Sequence, residues 1–550
     1  MIASRLAFGC IFTACLLTIP SASAAEPVTV RGRVILDANS NGQLDGDEKG
    51  LAGIAVADGV NIVNTDADGR FEIKVADDPV MPFVPSRVVA ISWPSGYWPS
   101  SLWYRRLADI KPGEELLFSL RADQQKLPLV FIHASDPHNS FGDDISRRWR
   151  AEVAGLGSAP KFAVITGDLG YAEEKTADAM FSSVQNYART FPIPMFITNG
   201  NHDIVGVLSA EWNKPTELHG NGAYTKYLGP LRWSFDYAGV HFIGLDWGEL
   251  DDKGHLSGGT PTMAIHWLKQ DLARVKSGTR IFLFAHSHWS PHEAEVFALL
   301  RKYNTELYLA GHSHKNLDMS VGGLKLLTTV NLTTKEGPYR MVHIHEKGHD
   351  VVDRCPSGIG RHTRSCGVHL PAAFEALRRK KVDVTDVALD GGTRRLEGLD
   401  APWLELGADI VPPISGRCAV RIVSSDAAVA PLELSVSGNE LSCGPLVNPS
   451  VRETPEQPFQ LRFHLFNGNV QVRANSRVCF ERPFPTEKPS RVELFTEGGQ
   501  GRFSKIEAWQ LAHDDVAAIA GVASFYQHQI QDHRVRALNK TIEAIKAEKK

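Results

Sequence analysis

Cysteine is scarce in this chain: seven in 550 residues, with Cys10 and Cys15 inside the first 24. No two have CxxC spacing, which argues against thiol-redox chemistry and a zinc-thiolate site. The remaining five, Cys355, Cys366, Cys418, Cys443 and Cys479, are odd in number. Cys355 with Cys366 could close a short loop, and two of the last three could pair across a β-domain, as an oxidising compartment permits. A basic surplus is also lacking, with 59 Lys plus Arg against 63 Asp plus Glu and a net charge of -4. A nucleic-acid polymer is therefore not an expected partner. Long apolar runs are missing too. The one candidate, Leu6 to Ile19, has about 14 residues where a span needs about 20. It follows Arg5 and precedes Ala22-Ser23-Ala24, a small-x-small cleavage pattern, so residues 1–24 read as a signal peptide. A periplasmic or secreted protein is expected, with no transmembrane anchor after cleavage.

What is present is ordinary globular composition, 43% apolar and 22% charged, in a length that predicts about three or four domains. Residues 28–125 read as β. Val28 to Ile35 and Gly69 to Val75 alternate in polarity, the second after the tight turn Asp66-Ala-Asp-Gly69, and no helical period appears. A small β-sandwich is the natural way to pack such strands. Within it, Asp37, Asn39, Asn41, Asp45 and Glu48 occupy positions 1, 3, 5, 9 and 12 of a loop with glycine at position 6. The Gln43 carbonyl supplies position 7, which is the spacing that wraps a hard cation. A strand precedes the loop where a calcium sensor would carry a helix, so a calcium-stapled β-loop is expected.

Residues 127–354 alternate strands and helices. Strands are expected at 128–134, 161–167, 194–199, 240–245, 280–285, 306–310 and 324–330, and helices at 144–154, 173–189, 263–275 and 292–302. Such units build an α/β sheet with active groups in loops at strand ends. The motifs fall there: Asp136-Pro-His138, Gly167-Asp168, Gly200-Asn201-His202-Asp203, His286 and Gly311-His312-Ser-His314. Imidazole with carboxylate suits borderline divalent metals such as Zn, Fe, Mn or Co. Two ions about 3.5–4 Å apart would clamp both oxygens of an in-line displacement. Asp168 is the expected bridge, with Asp136, His138 and His314 completing one site and Asn201, His286 and His312 the other. Because Asn201 is neutral, two carboxylates face two divalent cations. The net charge is about +2, which favours an anionic phosphate ester, and coordination lowers the pKa of a bridging water so that hydroxide attacks phosphorus. His202 is positioned to stabilise phosphoryl oxygens or protonate the leaving oxygen, with Asp203 or a backbone carbonyl to orient it. His286 is preferred to His288 as the ligand because it lies nearer the end of Ile281 to Ala285; His288 or His292 would otherwise line the mouth, and Tyr171 is either a pocket residue or a packing residue.

This series resembles the calcineurin-like metallophosphoesterase superfamily over residues 128–350. The resemblance implies a central four-layer α/β/β/α sandwich, a dinuclear site and hydrolysis of phosphomonoesters or phosphodiesters. It maps the metal positions onto the seven residues above and the catalytic histidine onto His202. Gly-Asp-x-x-Tyr at 167–171 is also similar to purple acid phosphatases, but His138 fills the slot that their D-x-G leaves open. The preceding β-domain resembles the N-terminal module of some bacterial calcineurin-like enzymes.

After a Gly-, Ser- and Arg-rich boundary near 356–366, a short helix is expected over Pro371 to Arg378. From 385 to 512 strands return. Phe459 to Phe466, Asn467-Gly468 and Val470 to Arg473 read as a hairpin, with Arg491 to Phe495 and Ser504 to Leu511 as two further strands. This stretch resembles the concanavalin-like β-sandwich appended to some glycoside hydrolases, which implies possible carbohydrate contact. Trp403 and Trp509 serve equally well as core, and no pair of catalytic carboxylates stands out. Residues 515–547 carry a helical period. The fold expected is thus multidomain α+β, a metallophosphoesterase sandwich flanked by N- and C-terminal β-sandwich domains. The expected function is a two-metal phosphate-ester hydrolase, phosphomonoesterase before phosphodiesterase, acting on a small molecule or envelope component. The alternatives are a diesterase acting on nucleotides, glycerophosphodiesters or envelope lipids, and a glycan- or surface-binding protein with an inactive phosphoesterase scaffold.

Overall fold

The computed structural model describes residues 27–511 except 76–87, 139–140, 158, 207–216, 251–255, 288–292, 315–316, 322–323, 334–336, 355–377, 439, 445, 449–457, 467–468, 475–476 and 485–487. The signal segment, Cys355, Cys366, residues 371–377 of the helix expected over Pro371 to Arg378, and the helical stretch 515–547 lie outside the described residues; Arg378 itself opens the strand Arg378–Val382. Among the described residues, no helix is long and apolar enough to cross a membrane.

Two four-stranded sheets form the N-terminal part. In one, Val28–Leu36 lies between Arg70–Val75 and Glu115–Ala122, with Tyr97–Pro99 at the edge; the other is built from Ala55–Ala57, Ile62–Asn64, Val88–Ser92 and Tyr104–Arg106. The alternation in Arg70–Val75 puts Phe71, Ile73 and Val75 inside and Arg70, Glu72 and Lys74 outside, as a half-buried strand requires.

The centre is a mixed α/β core of two sheets. One runs parallel through Leu129–Ala134, Pro160–Thr166 and Met195–Thr198, and Tyr339–His345 pairs antiparallel with its first strand. The other is parallel through Val240–Gly244, Arg280–Phe284, Asn304–Ala310 and Leu324–Thr328, with Trp233–Tyr237 and Leu317–Val321 antiparallel at its edges. Period-two alternation explains the layering. Phe131, Phe162, Phe242, Phe282 and Phe284 point into one shared aromatic core between the sheets. Their neighbours Ile132, Ala163 and Ile165 face the helices Asp144–Gly155 and Ala177–Arg189, while Ile243, Ile281 and Leu283 face Thr262–Leu272 and Glu293–Leu300. Helix Asp144–Gly155 begins where the Asp143 carboxylate accepts a bond from Ser146 N, and it buries Trp149 and Val153 four residues apart.

The expected strands and four long helices are present within a few residues. The edge strands Trp233–Tyr237 and Leu317–Val321, the hairpin Tyr339–His345 with Gly348–Arg354, and the short helix Gly222–Leu228 are additional. The hairpin matters most. Its second strand pairs with Arg477–Pro483 through Val351–Glu481 and Val352–Phe480, so the first central sheet continues without a break into the large C-terminal β region.

Two expectations for that region are corrected. Ser490–Leu511 is one strand rather than two, because the left-handed Gly498 and Gly499 bend the chain without ending its pairing. Its first part pairs with Arg417–Ser424 and its last part with Leu404–Val411. No disulfide joins Cys418, Cys443 and Cys479, which are buried thiols. Cys418 pairs with Val436 and Cys443 with Leu434 on the strand between them, so these two lie two strand spacings apart, roughly 9–10 Å, beyond disulfide reach. Trp403 is core, and Trp509 packs beside it.

Polar contacts lock the N-terminal sheets to the centre. Gln270 bonds Val60 O and Ile62 N, and buried Arg232 holds Asp246 with two bonds while its third nitrogen reaches Gly59 O. Ser92 Oγ meets Ser234 Oγ, which donates to Asp271. The other Asp271 oxygen meets His241 Nε2 at 2.9 Å, and His241 Nδ1 meets Asp236 at 2.6 Å. Burial disfavours charge on His241, but the Asp271 and Asp236 carboxylates outweigh it and raise the imidazole to about 10. A raised histidine stabilises the fold fully below its unfolded value near 6.5, and that contribution fades as pH climbs through 10. Denaturation midpoints should therefore fall between pH 6.5 and 10, and His241→Gln should flatten that decline. Parallel profiles for the two proteins would refute the assignment.

Candidate metal centre

Each expected ligand stands just beyond the C-terminal end of a parallel strand, and the two sheets bring these ends to one cleft. Asp136 follows Leu129–Ala134, Asp168 follows Pro160–Thr166, Asn201 follows Met195–Thr198, His286 follows Arg280–Phe284, and His312 and His314 follow Asn304–Ala310. Main-chain bonds knit the loops together: Asp136 N to Gly167 O, His138 N to Asp168 O and Gly311 N to His286 O, each 3.0 Å.

Two groups of metal-ligating atoms result, Asp136, His138, Asp168 and His314 in one and Asp168, His286 and His312 in the other. Asp168 is common to both. Its Oδ2 lies 3.3 Å from His286 Nε2 and 4.0 Å from His138 Nε2, while its Oδ1 accepts the His202 amide at 2.9 Å. His314 Nε2 is 3.1 Å from Asp136 Oδ1 and 3.0 Å from His138 Nε2. His286 Nε2 sits 3.0 Å from both Asn201 Oδ1 and His312 Nδ1. The chain thus presents a dinuclear metal-binding cluster, with the Asn201 amide oxygen beside the second group.

The donor set fits cations. Two pairs of ring nitrogens face each other at 3.0 Å, His138 with His314 and His286 with His312, a spacing that either a shared proton or a shared cation can bridge. Asp136 Oδ1 is buried, with His314 Nε2 at 3.1 Å as its neighbour in the cluster. His286 turns Nδ1 to Thr166 O at 2.8 Å, which fixes its ring so that Nε2 faces the cluster. Burial works against the charge of Asp168, but His286 and the His202 amide overcome it and lower the carboxyl to about 2.

The backbone is strained at the same places. Five of the seven ligands have left-handed φ: Asp136 (54°), His138 (44°), Asp168 (53°), His312 (63°) and His314 (53°). Each such residue costs about 1–3 kcal/mol, a cost retained where geometry serves a site. Two glycines make room. A side chain at Gly200 would run into Asp168, and one at Gly311 into Ser135 Oγ and Asp136 Oδ2.

His202 lies on the rim of the cluster, 5.3 Å from the His138 ring and 4.6 Å from Tyr171 between centroids. Tyr171 is half exposed and stacks on His138 at 5.2 Å. Asp203 is fully buried, and its oxygens accept Leu169 N at 2.8 Å and Gly200 N at 2.7 Å, so it ties the Asp168 loop to the Asn201 loop. Burial, reinforced by the Asp168 charge, raises its carboxyl to about 8. His288 and His292 lie outside the described residues.

Trp247, Asn199 and Ser287 escaped the motif reading. Asn199 exchanges two bonds with the Trp247 main chain and one with Asn221, and Trp247 Nε1 donates to Ser287 Oγ. The Trp247 ring stands 6.2 Å from both His286 and His312, walling the second group. Its place just after the strand Val240–Gly244 is a strand-end position like those of the ligands, a signal that was available.

In the 37–48 loop, Asp37 accepts Asn41 N and Gly42 N, Asp45 Oδ2 accepts the amides of Asn39 and Asn41, and Glu48 accepts Ala38 N and Asp45 N. Gln43 N donates to Asn41 Oδ1. The six predicted residues thus share one tight loop closed by its own hydrogen bonds.

Residues 129–316 match the calcineurin-like phosphoesterase family, and residues 38–122 match the N-terminal part of calcineurin-like phosphoesterases. The central domain belongs to the calcineurin-like phosphoesterase superfamily. With its metal cluster, the chain is a metal-dependent phosphoesterase. Among solved structures, this phosphoesterase is similar to a predicted phosphoesterase of Streptococcus pneumoniae TIGR4 (13% identity, 43% of this chain and 92% of that one, TM-score 0.22). It is also similar to GAP50 of Plasmodium, the anchor in the inner membrane complex (14%, 42% and 85%, 0.30), and to carbohydrate binding module CBM66 from Bacillus subtilis (9%, 24% and 94%, 0.19). No curated protein matches it.

Gly311→Ala should reduce bound metal per chain well below the native level by elemental analysis, with the circular-dichroism spectrum preserved. Gly155→Ala, where added bulk meets nothing within 4 Å, should retain full metal content. Equal loading of both variants would show that the Gly311 approach does not govern the site.

Proposed function

We propose that this protein hydrolyses phosphate esters outside the cytoplasm and prefers phosphomonoesters to diesters. The observation that carries this is the convergence of all seven donor atoms with only two carboxylates among them, Asp136 and Asp168. A cluster so poor in negative charge, once loaded, favours the more highly charged monoester. Asp136, His138 and His314 would hold one transition-metal ion and Asn201, His286 and His312 the other, with Asp168 between them. Two such ions supply Lewis acidity toward a phosphoryl oxygen and make water a competent nucleophile at neutral pH.

The remaining steps belong to the chain itself. Asp168 is aimed by the His202 amide. The His202 ring, on the open rim, donates its N–H to a phosphoryl oxygen or to the leaving oxygen. Asp203 acts as a positioning residue through its two amide contacts. Trp247 excludes water from one side of the cluster.

The same reading extends outward. We take the centre as a four-layer α/β/β/α sandwich, residues 28–125 and 385–512 as flanking β-sandwiches, and the first 24 residues as a signal for export. The C-terminal region makes carbohydrate contact that brings an envelope component near the cleft. The 37–48 loop binds a structural calcium ion through Asp37, Asn39, Asn41, Gln43, Asp45 and Glu48.

The test is turnover of an aryl phosphomonoester and its matching diester after chelation and refilling with Mn, Zn, Fe or Co in turn. The monoester should be preferred, and Asp168→Asn should abolish turnover while leaving the fold intact. His202→Ala should cost about 10²–10⁴-fold, the usual range for a general acid or base. A diester preference would move the substrate to phosphodiesters, and full activity in Asp168→Asn would defeat the mechanism. Calcium at a hundredfold excess over its Kd should stabilise the protein by about 2.7 kcal/mol, reversibly with chelator, and Glu48→Gln should remove that response. A melting temperature indifferent to calcium would exclude the loop as a calcium site.

A further inference from the structure

The C-terminal sheet has one apolar and one polar face. Leu404, Leu406, Ala408 and Ile410 alternate into the core with Leu461, Phe463 and Leu465. On the other side, register puts Asp409 opposite Gln460, Gly407 opposite both Arg462 and Glu507, and Arg462 opposite Arg473. These groups line a hollow of about 420 Å³, within the size range of small-molecule sites.

Two backbone features shape it. Pairing between Leu404–Val411 and Ser490–Leu511 slips by a bulge between Gly407 and Asp409. At that slip sits Lys505, with a left-handed φ of 50°. The other non-glycine residues with positive φ are the five metal ligands, Ser40 and Ala238, so among the described residues Lys505 is the one such case inside a long strand. Bulges re-aim side chains next to sites, and strain of this kind clusters where it serves function. The second feature is Gly407, where any side chain would press on the Arg462 guanidinium.

The charges in the hollow come in pairs. Lys505 Nζ meets Asp409 at 2.8 Å, Arg462 Nη2 meets Glu507 at 2.7 Å, and Arg462 Nη1 reaches buried Glu405 behind it. The lining side chains Arg462, Arg473 and Lys505 face Asp409 and Glu507, and Glu405 behind Arg462 is also held by Arg378, so the surplus is a single positive charge, too small to select a polyanion. Among the described lining residues there is no aromatic ring, so a flat hydrophobic ligand finds no stacking platform. What the walls offer is donors and acceptors side by side at hydrogen-bond spacing. Adjacent hydroxyls match that pattern, each giving a proton to a carboxylate and accepting one from a cation. In the Lys505–Asp409 pair the ammonium is exposed and the carboxylate buried, so a hydroxyl that takes the place of the ammonium must itself donate to Asp409.

We propose that this hollow is a second ligand site, separate from the metal cleft, that holds an uncharged sugar residue by its hydroxyl edges through Asp409, Gln460, Arg462, Lys505 and Glu507. It deepens the carbohydrate contact proposed above by giving it a place and a chemistry. Calorimetry on the full chain with glucose, galactose, mannose, fructose and N-acetylglucosamine, and with short oligosaccharides ending in each, provides the test. Galacturonate and inorganic phosphate serve as anionic probes. At least one neutral sugar should bind, and Lys505→Ala and Glu507→Gln should each weaken it about tenfold. Both variants should turn over the aryl phosphomonoester at the native rate. The proposal fails if no neutral sugar binds, if only galacturonate or phosphate binds, or if both variants bind sugar like the native chain. Because turnover is read on the same samples, lost turnover with retained sugar binding would count against the metal-centre reading instead.

Discussion

Close approach of like donors is the constraint on which this structure turns. Imidazole nitrogens stand 3.0 Å apart in two places, a buried carboxylate oxygen lies 3.1 Å from one of them, and five of the expected ligand residues hold left-handed backbone. The left-handed backbone does not lower the energy of an isolated chain. At about 1–3 kcal/mol per strained residue, the total rivals the net stability of an ordinary domain. The surrounding fold supplies the restraint. Two parallel sheets joined by a phenylalanine layer aim their strand ends at one cleft, and loop-to-loop amide bonds hold the ligands in register.

The supporting residues have little freedom of their own. Asp203 spends both carboxylate oxygens on main-chain amides of the two ligand loops, and Ser135 Oγ anchors to Thr166 O. Arg232, Gln270 and the Ser92–Ser234–Asp271–His241 series fasten the N-terminal sheets behind the second central sheet. A change far from the cleft can therefore reach it through packing rather than through chemistry.

Much of this could be read in the residues alone. Strand, glycine and ligand recur together in Gly167-Asp168, Gly200-Asn201 and Gly311-His312, since a left-handed or crowded turn demands glycine beside the donor. That pattern made Asp168, Asn201 and His312 stand out as candidate ligands. Trp247 and Asn199 were not, because their role rests on contacts between loops distant in sequence. The hairpin Tyr339–His345 with Gly348–Arg354 was missed where buried Arg340, His349 and Asp350 interrupt its apolar pattern. The single strand Ser490–Leu511 was divided in two by glycines that bend a strand as readily as they end one. A pairing among Cys418, Cys443 and Cys479 was misjudged because strand register, invisible in spacing, decides which thiols meet.

The pairing of Val351 and Val352 with Glu481 and Phe480 has a mechanical consequence. A hinge needs a segment that can turn about its backbone, and here the junction between the catalytic core and the C-terminal region is itself a hydrogen-bonded ladder. The catalytic core and the C-terminal region therefore share one hydrogen-bonded frame where a flexible linker would have let them turn independently.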